Sequence, residues 1–202
     1  MTPAVAGPFA ATRRPGRPRS EQADRAIIEA ALAIFAESGV EGLCIEAVAS
    51  RAGVGKSTIY RRWPGKEELL VDALAALKTP LPEPSGVSVR EDLIGLLQVI
   101  CADMADPRRA RAVTLLHGEG HRYRRLSARF IETVVEPRRE VFRRVLRRGI
   151  ETGEIRSDAD VDTALFMMTG AAQVKGRDGA GAIPDGYAER IVDQLLQGLA
   201  RR

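Results

Sequence analysis

Two short stretches of helical sequence lie on either side of a glycine-containing turn, and this spacing constrains the fold more than any other feature of the chain. The first stretch, residues 45–52, keeps its apolar residues on one face and includes Ala49, which is small enough for close helix contact. Gly53-Val54-Gly55 interrupts it, and a second stretch covers about residues 56–63. Two short helices joined by a short turn that contains Gly define a helix-turn-helix unit. The sequence therefore predicts such a unit.

The rest of the chain also has helical periodicity, with apolar residues recurring every three or four positions. We predict further helices over about 20–39, 66–77, 88–104, 107–118, 122–149, 158–175 and 185–200. Ser88 and Glu91 match a capping box, Gly39 is placed to end the first helix, and Pro137 should kink or restart the long one. Only 4% of residues are aromatic and 45% are hydrophobic, which suits packed helices. The predicted fold is all-α with about nine helices.

Proline and glycine divide the chain into segments. Residues 1–19 hold four prolines, two glycines, four arginines and no acid, so we predict a disordered basic arm that is attracted to polyanions. Residues 80–86 hold three prolines and a glycine and predict a linker. We therefore predict a helix-turn-helix domain over 20–79 and a larger C-terminal domain over 87–202.

Several protein classes are excluded by composition. The chain has no run of 18 or more apolar residues, which predicts no membrane span, and no apolar segment follows its N-terminal arginines as in a secretory signal. The two cysteines, Cys44 and Cys101, form neither a disulfide framework nor a zinc pattern. We expect a cytoplasmic protein with reduced thiols, in which Cys101 is a small core residue.

The second helix of the predicted unit carries hydroxyl groups and cations. Its polar residues are Lys56, Ser57, Thr58, Tyr60, Arg61 and Arg62. In a helix-turn-helix protein the second helix lies in the DNA major groove, where its N-terminal residues contact base edges and flanking polar groups contact phosphates. This composition favours a DNA-binding role.

The residues from Ile45 to Leu69, together with the end of the preceding helix over 34–39, resemble the signature of the TetR/AcrR family of regulators. The detailed resemblance covers about residues 20–75. It implies a homodimer whose last two long helices, about 158–175 and 185–200, pair with those of the partner. It also implies a pseudo-palindromic operator in double-stranded DNA and a small-molecule effector that binds in the C-terminal domain.

The resemblance gives roles to individual residues. Matches to the recognition helix are Lys56, Ser57, Thr58, Tyr60 and Arg61, and Tyr60 is expected to reach a phosphate. Lys66 matches a backbone-contacting position at the start of the fourth helix, and Trp63 is expected to pack inside the small domain. The chain departs from the family at Cys44 and Gly55, where Thr and Ser are common. Cys caps a helix poorly and Gly only moderately, so weaker helix starts are expected.

The arginines of the arm provide a second candidate contact. The segment 13–19 is similar to the Gly-Arg-Pro core of AT-hook peptides, and narrow A·T-rich minor grooves attract arginine. Arg17 and Arg19 are therefore candidate DNA contacts. The alternative is a disordered tail that only raises non-specific affinity.

Other features of the C-terminal domain have competing interpretations. His117 and His121 stand four apart, but intervening glycines disfavour a metal-binding helix, and the polar lining of a cavity or an exposed loop is the favoured alternative. Residues 122–148 hold ten arginines against three glutamates. They form either a site for an anionic effector or a solvated face with Glu136–Arg139 and Glu140–Arg144 pairs. The methionines on apolar stripes, Met104, Met167 and Met168, are predicted to lie in the core.

The sequence thus predicts a sequence-specific DNA-binding regulator, a repressor that a small-molecule effector releases from its operator. One alternative is an architectural A·T-rich DNA binder driven by the arm. Another is an enzyme with a DNA-binding appendage, although the sequence offers no set of nucleophile, base and orienting group. We predict no catalytic residues, no cofactor and no bound metal.

Overall fold

The computed structural model describes residues 21–177 and 183–199, and within these ranges the chain forms ten α-helices, one π-helical turn and no β-strand. This confirms the all-α prediction. The helices are α1 (Glu21–Gly42), α2 (Ile45–Ala52), α3 (Lys56–Tyr60), α4 (Lys66–Ala76), α5 (Val89–Ala105), α6 (Pro107–Glu119), α7 (Arg124–Phe130), α8 (Glu136–Thr152), α9 (Val161–Arg177) and α10 (Tyr187–Leu199). The basic arm, with Arg17 and Arg19, lies outside the described residues.

Gly39 ends the regular part of α1, as the sequence predicts. Its backbone has φ 66° and ψ −165°, a left-handed geometry that favours glycine. A further turn leads from there to Gly42, and the buried side chains of Val40 and Leu43 anchor this turn in the core. The turn between α1 and α2 is consequently fixed by packing.

Pro137 interrupts the long helix predicted over 122–149. α7 ends at Phe130, the π-helical turn Ile131–Val135 follows, and α8 begins at Glu136 with Pro137 in its first turn. Proline has no amide hydrogen and its ring clashes with the carbonyl four residues earlier, so a regular α-helix cannot run through it. A local π-helical turn accommodates this clash. The predicted restart at Pro137 is confirmed.

The buried side chains form two clusters. The first joins α1–α4 with side chains from α6 and α7, including Leu116, Leu126 and Phe130. The second joins α5, α8, α9 and α10 around residues such as Leu97 and Phe142. The helix-turn-helix unit therefore packs directly on α6 and α7. The irregular segment between α4 and α5 contains the predicted linker 80–86, and a domain boundary there stays a prediction.

Asp92 holds the end of this linker against the second cluster. Its buried carboxylate accepts hydrogen bonds from the backbone N–H groups of Ser85 (2.7 Å) and Gly86 (3.0 Å), and from the Arg148 guanidinium (2.7 Å). Burial opposes ionisation, but the Arg148 and Ser85 hydrogen bonds outweigh it and keep the pKa of Asp92 below its ordinary value.

Among the described helices, none is long and apolar enough to cross a membrane.

Candidate DNA-binding surface and internal cavity

Helices α2 and α3 with their connecting turn form the predicted helix-turn-helix. Gly53 ends α2 in the left-handed conformation with φ 65°, and the Val54 N–H donates back to the Ala49 carbonyl at 3.0 Å. Cys44, which was expected to cap poorly, does contact the helix start, because its Sγ accepts from the Ala47 N–H at 3.4 Å. Gly55 provides no side-chain cap for α3.

One buried residue anchors α3, and its other side chains reach toward solvent. Ile59 is fully buried. The predicted contacts on this short helix and the residue after it are exposed or half-buried, namely Lys56, Ser57, Thr58, Tyr60 and Arg61. Tyr60 is 53% exposed although it is aromatic. The helix ends at Tyr60 and not at Trp63, because the chain turns over Arg61 and Arg62 to bury Trp63.

Arg62 is directed inward, which corrects the expectation that it belongs to the exposed polar surface. Its guanidinium forms an ion pair with Asp24 of α1 and donates to the Thr58 carbonyl at 3.2 Å. Its side chain is only 13% exposed. Arg62 therefore ties the end of α3 to α1.

The exposed cations of this region differ in their partners. Lys56 donates to Glu46 at 3.2 Å; the backbone N–H of Glu46 and then Lys56 lower the pKa of that carboxyl. Arg51 on α2 makes two 2.9 Å bonds to Glu37. Within residues 21–177 and 183–199, the guanidinium of Arg61 has no hydrogen bond or ion pair. Arg25 on α1 is also exposed.

Lys66 lies at the start of α4 and contacts the turn between α1 and α2. Its Nζ donates to the Val40 carbonyl at 3.1 Å, while the Val40 N–H donates to Glu119 at the end of α6 at 3.0 Å. Trp63 is 7% exposed and its Nε1 donates to Asp72 at 2.8 Å. This confirms that Trp63 packs inside the small domain.

An internal cavity of about 160 Å³, partly open to the surface, lies among α5–α9. Most of its wall is apolar, with side chains such as Ile100, Met104, Val113, Phe130, Val134 and Phe142. Its polar lining residues are Lys78, Asp103, His117, Ser127, Arg138, Arg139, Thr169 and Gln173. Such a chamber, apolar with a few polar groups, is typical of a small-molecule site.

Asp103 is the shared acceptor of a hydrogen-bond network at one end of this cavity. Its side chain is 2% exposed. The carboxylate accepts from the Thr79 hydroxyl at 2.7 Å and from Arg109 at 2.7 Å, and Arg138 approaches its other oxygen at 3.5 Å. Burial lowers the pKa of Arg138, an effect that Asp103 opposes. Four segments of the chain meet at this carboxylate: the residues after α4, and helices α5, α6 and α8.

Lys78 adds a further positive charge to the same end. Burial lowers the pKa of Lys78; Asp103 opposes this shift, and Arg138 and Arg109 reinforce it. In the part of the chain that the structure describes, the Lys78 ammonium has no hydrogen bond or ion pair. The side chain is half-buried, so the ammonium is only partly removed from water and has no counter-ion of its own.

The two histidines occupy different environments. His117 lines the cavity, and its Nδ1 lies 2.8 Å from the Val113 carbonyl. His121 is exposed in the turn after α6. Each of the two favoured alternatives for this pair, cavity lining and exposed loop, therefore applies to one histidine.

The arginines of the α7–α8 region are mostly paired with acids. The predicted Glu136–Arg139 pair is present at 3.3 Å. The predicted Glu140–Arg144 pair is wrong: Glu140 contacts Arg147 at 2.7 Å and Arg143 at 3.4 Å. These pairs support the interpretation as a solvated face, whereas Arg138 and Arg139 line the cavity.

The predictions for the cysteine and methionine residues have different outcomes. Cys101 is buried in the second cluster, and burial, with a contribution from Glu189, raises its pKa to about 11; its assignment as a core residue is confirmed. Met104 and Met168 are buried, but Met167 is 60% exposed, which contradicts the prediction for that residue. Phe166 and Val174 on the same helix are also about half exposed.

An exposed, polar second helix held on a buried helix-turn-helix scaffold defines a DNA-binding protein of the helix-turn-helix class. Residues 27–73 match the family model for bacterial regulatory proteins of the tetR family, and residues 83–195 match the model for a tetracyclin repressor-like C-terminal domain. The chain therefore belongs to the TetR family of DNA-binding transcriptional regulators.

Similar proteins support the same assignment along most of the chain. An uncharacterized HTH-type transcriptional regulator of Bacillus subtilis, YdeS, is 26% identical over 185 residues, which cover 91% of this chain and 93% of the relative. The DNA-binding transcriptional repressor TetR of Mycobacteroides abscessus is 28% identical over 194 residues, covering 91% and 96%. The crystal structure of the TetR family regulator SCO0332 superposes with a TM-score of 0.66 at 27% identity, covering 90% and 100%.

Proposed function

We propose that this regulator represses transcription as a homodimer on a pseudo-palindromic operator and leaves the DNA when a small molecule enters the internal cavity. The exposed α3 surface, anchored by the single buried residue Ile59, is the observation that carries the DNA-binding half of the proposal. Binding alone accounts for this activity, without a catalytic step, and the proposed place of action is the cytoplasm.

The proposed DNA contacts divide into base and phosphate contacts. Lys56, Ser57 and Thr58 enter the major groove, and Tyr60 and Arg61 contact the flanking phosphates. Lys66 contacts the backbone as well: its bond to the Val40 carbonyl occupies only one of the three donors of an ammonium. Arg17 and Arg19 of the arm add contacts in the adjacent minor groove.

A test of these contacts compares three changes. Tyr60→Ala should weaken operator binding strongly, and Tyr60→Phe should show how much of the loss belongs to the hydroxyl group. Deletion of residues 1–19 should leave a measurable specific complex in a gel-shift assay with competitor DNA. Complete loss of binding on that deletion, with Tyr60→Ala unimpaired, would instead support the architectural A·T-rich DNA binder.

The proposed dimer interface includes an apolar strip on α9. Phe166, Met167 and Val174 are 49–60% exposed, and Gly170 between them has open space where a side chain would lie. A second copy of the chain can approach closely at such a glycine. The strip, with α10, thus supports an isologous helical interface.

Matched substitutions test this interface. Val174→Glu places a charge within the strip, and Val87→Glu makes the same change at a valine that is 84% exposed outside it. Light scattering should show that Val174→Glu is monomeric at concentrations at which Val87→Glu and the wild type are dimeric. Dimers in all three proteins would contradict the assignment of α9.

Helix α6 provides a physical route between the cavity and the DNA-binding unit. Leu116 and His117 line the cavity, while Glu119 binds the Val40 N–H at 3.0 Å and Arg111 binds the Ala36 carbonyl at 3.1 Å. A ligand that displaces α6 therefore acts on the turn between α1 and α2. The effect on DNA affinity equals the difference in the ligand's affinity for the two conformations.

A further inference from the structure

The charges at one end of the internal cavity do not balance. Arg109 and Arg138 contact the Asp103 carboxylate, and Arg109 also lies 3.9 Å from Asp106 on the solvent side. Three cations, counting Lys78, thus stand against two carboxylates, which leaves a single excess positive charge. The excess falls on Lys78, because its ammonium has no hydrogen bond or ion pair within the described ranges.

Several polar groups elsewhere in the cavity wall already have partners within the protein. The Thr169 hydroxyl donates to the Leu165 carbonyl at 2.9 Å, and the Nδ1 of His117 is paired with the Val113 carbonyl. The guanidinium of Arg139 is paired with Glu136 and stacks on the Phe166 ring at 4.7 Å. The side chains of Ser127 and Gln173 have no hydrogen bond among the described residues, but they are uncharged. The end around Lys78 is therefore the part of the cavity that most lacks a counter-charge.

The size of the chamber limits the rest of the ligand. Its volume is about 160 Å³, and an apolar cavity of about 150 Å³ in another protein holds benzene. The wall also includes aliphatic and aromatic side chains, such as Val113, Phe130 and Val134. This lining favours a compact apolar body over a flexible polar one.

We propose that the cavity binds a compact apolar acid, with a ring-sized body in the chamber and one carboxylate between Lys78 and Arg138. The carboxylate supplies the missing partner of the Lys78 ammonium and accepts charge-assisted hydrogen bonds from both cations. This inference rests on the proposed function of the cavity as the effector site and specifies the chemical class of the effector.

A charge series on the full-length protein tests the class of ligand without DNA. Isothermal titration calorimetry, in a buffer free of other carboxylates, compares benzoate with benzamide, benzylammonium and acetate. Benzoate should bind at least tenfold more tightly than each of the other three, because only benzoate combines the anion with the ring. Equal binding of benzamide, equal binding of acetate, or no binding of benzoate would overturn the proposal.

A substitution locates the binding site. Lys78→Met keeps the length of the side chain and removes its charge, and Lys175→Met is the control on α9 outside the cavity lining. Benzoate affinity should fall at least tenfold in Lys78→Met and stay unchanged in Lys175→Met. Unchanged benzoate affinity in Lys78→Met would overturn the assignment.

The ligand class and the proposed release from DNA can fail separately. Benzoate binding that depends on Lys78 but leaves the DNA complex intact would support the ligand class and contradict the release mechanism. Release of DNA by benzamide, with no preference for benzoate, would support the release mechanism and overturn the ligand class.

Discussion

Arg61 and Arg51 offer a matched test of which cations bind phosphate. Both are exposed arginines of the helix-turn-helix unit, and replacing either with Ala removes one positive charge per chain. Arg51 is held by two 2.9 Å bonds to Glu37, which keep the pKa of that carboxyl low. The Arg61 guanidinium has no partner among the described residues, so it is available to DNA.

The expected effect follows from counterion release. Each phosphate contact contributes about 0.9 to the slope of log affinity against log salt, so the two Arg61 residues of a dimer contribute about 1.8. Between about 50 and 200 mM salt, this slope corresponds to about a tenfold change in affinity that Arg61→Ala should lack. Arg51→Ala should keep the wild-type slope, because its guanidinium is already neutralised by Glu37.

Fluorescence anisotropy with a short labelled duplex measures this slope and needs no knowledge of the operator. Circular dichroism confirms that both variants keep the wild-type helix content. Equal slopes for the wild type and Arg61→Ala would refute the assignment of Arg61 as a phosphate contact. An equal decrease in both variants would show that net charge alone, without the pairing seen in the structure, determines binding.

Three further predictions concern stability and thiol chemistry. Asp92→Asn should lower the free energy of unfolding, measured in urea at neutral pH, by about 3 kcal/mol, because it breaks a buried ion pair. The same substitution at the exposed Asp158 should lower it by less than about 1 kcal/mol. Because the folded pKa of Asp92 is lowered from 3.8, its contribution is present above that value and is lost as the pH falls through the lower folded pKa. Gly55→Ser should raise the unfolding free energy by a few tenths of a kcal/mol by capping α3, and unchanged stability would contradict this. At neutral pH, Ellman's reagent should label Cys44, which is exposed. It should label Cys101, whose pKa is raised to about 11, only after the protein unfolds. Rapid labelling of both thiols in the folded protein would contradict the burial of Cys101.

The helix-turn-helix could be predicted from the sequence because its signals are local. Gly53 ends α2 within the motif itself, and Ile59 is the apolar residue that α3 must bury. Pro137 predicts a break in the helix from the steric properties of proline alone. Each of these features depends on a few neighbouring residues, so no knowledge of the tertiary fold was required.

The features that could not be predicted depend on distant partners. Arg62 turns inward because Asp24, from the start of α1, stands beside it. Met167 lies on an apolar face, and the sequence does not show that this face is left uncovered by the same chain. The cavity end is assembled by Lys78, Asp103 and other residues from separate elements, and no spacing in the sequence brings them together.

The most direct test of the central claim is DNase footprinting of the purified protein on the DNA that flanks its own gene, repeated with Tyr60→Ala. We expect protection of a pseudo-palindromic site whose half-sites are separated by one or more helical turns of DNA, and loss of that protection in Tyr60→Ala. A well-folded dimer that protects no specific site, or a Tyr60→Ala variant with an unchanged footprint, would contradict the account.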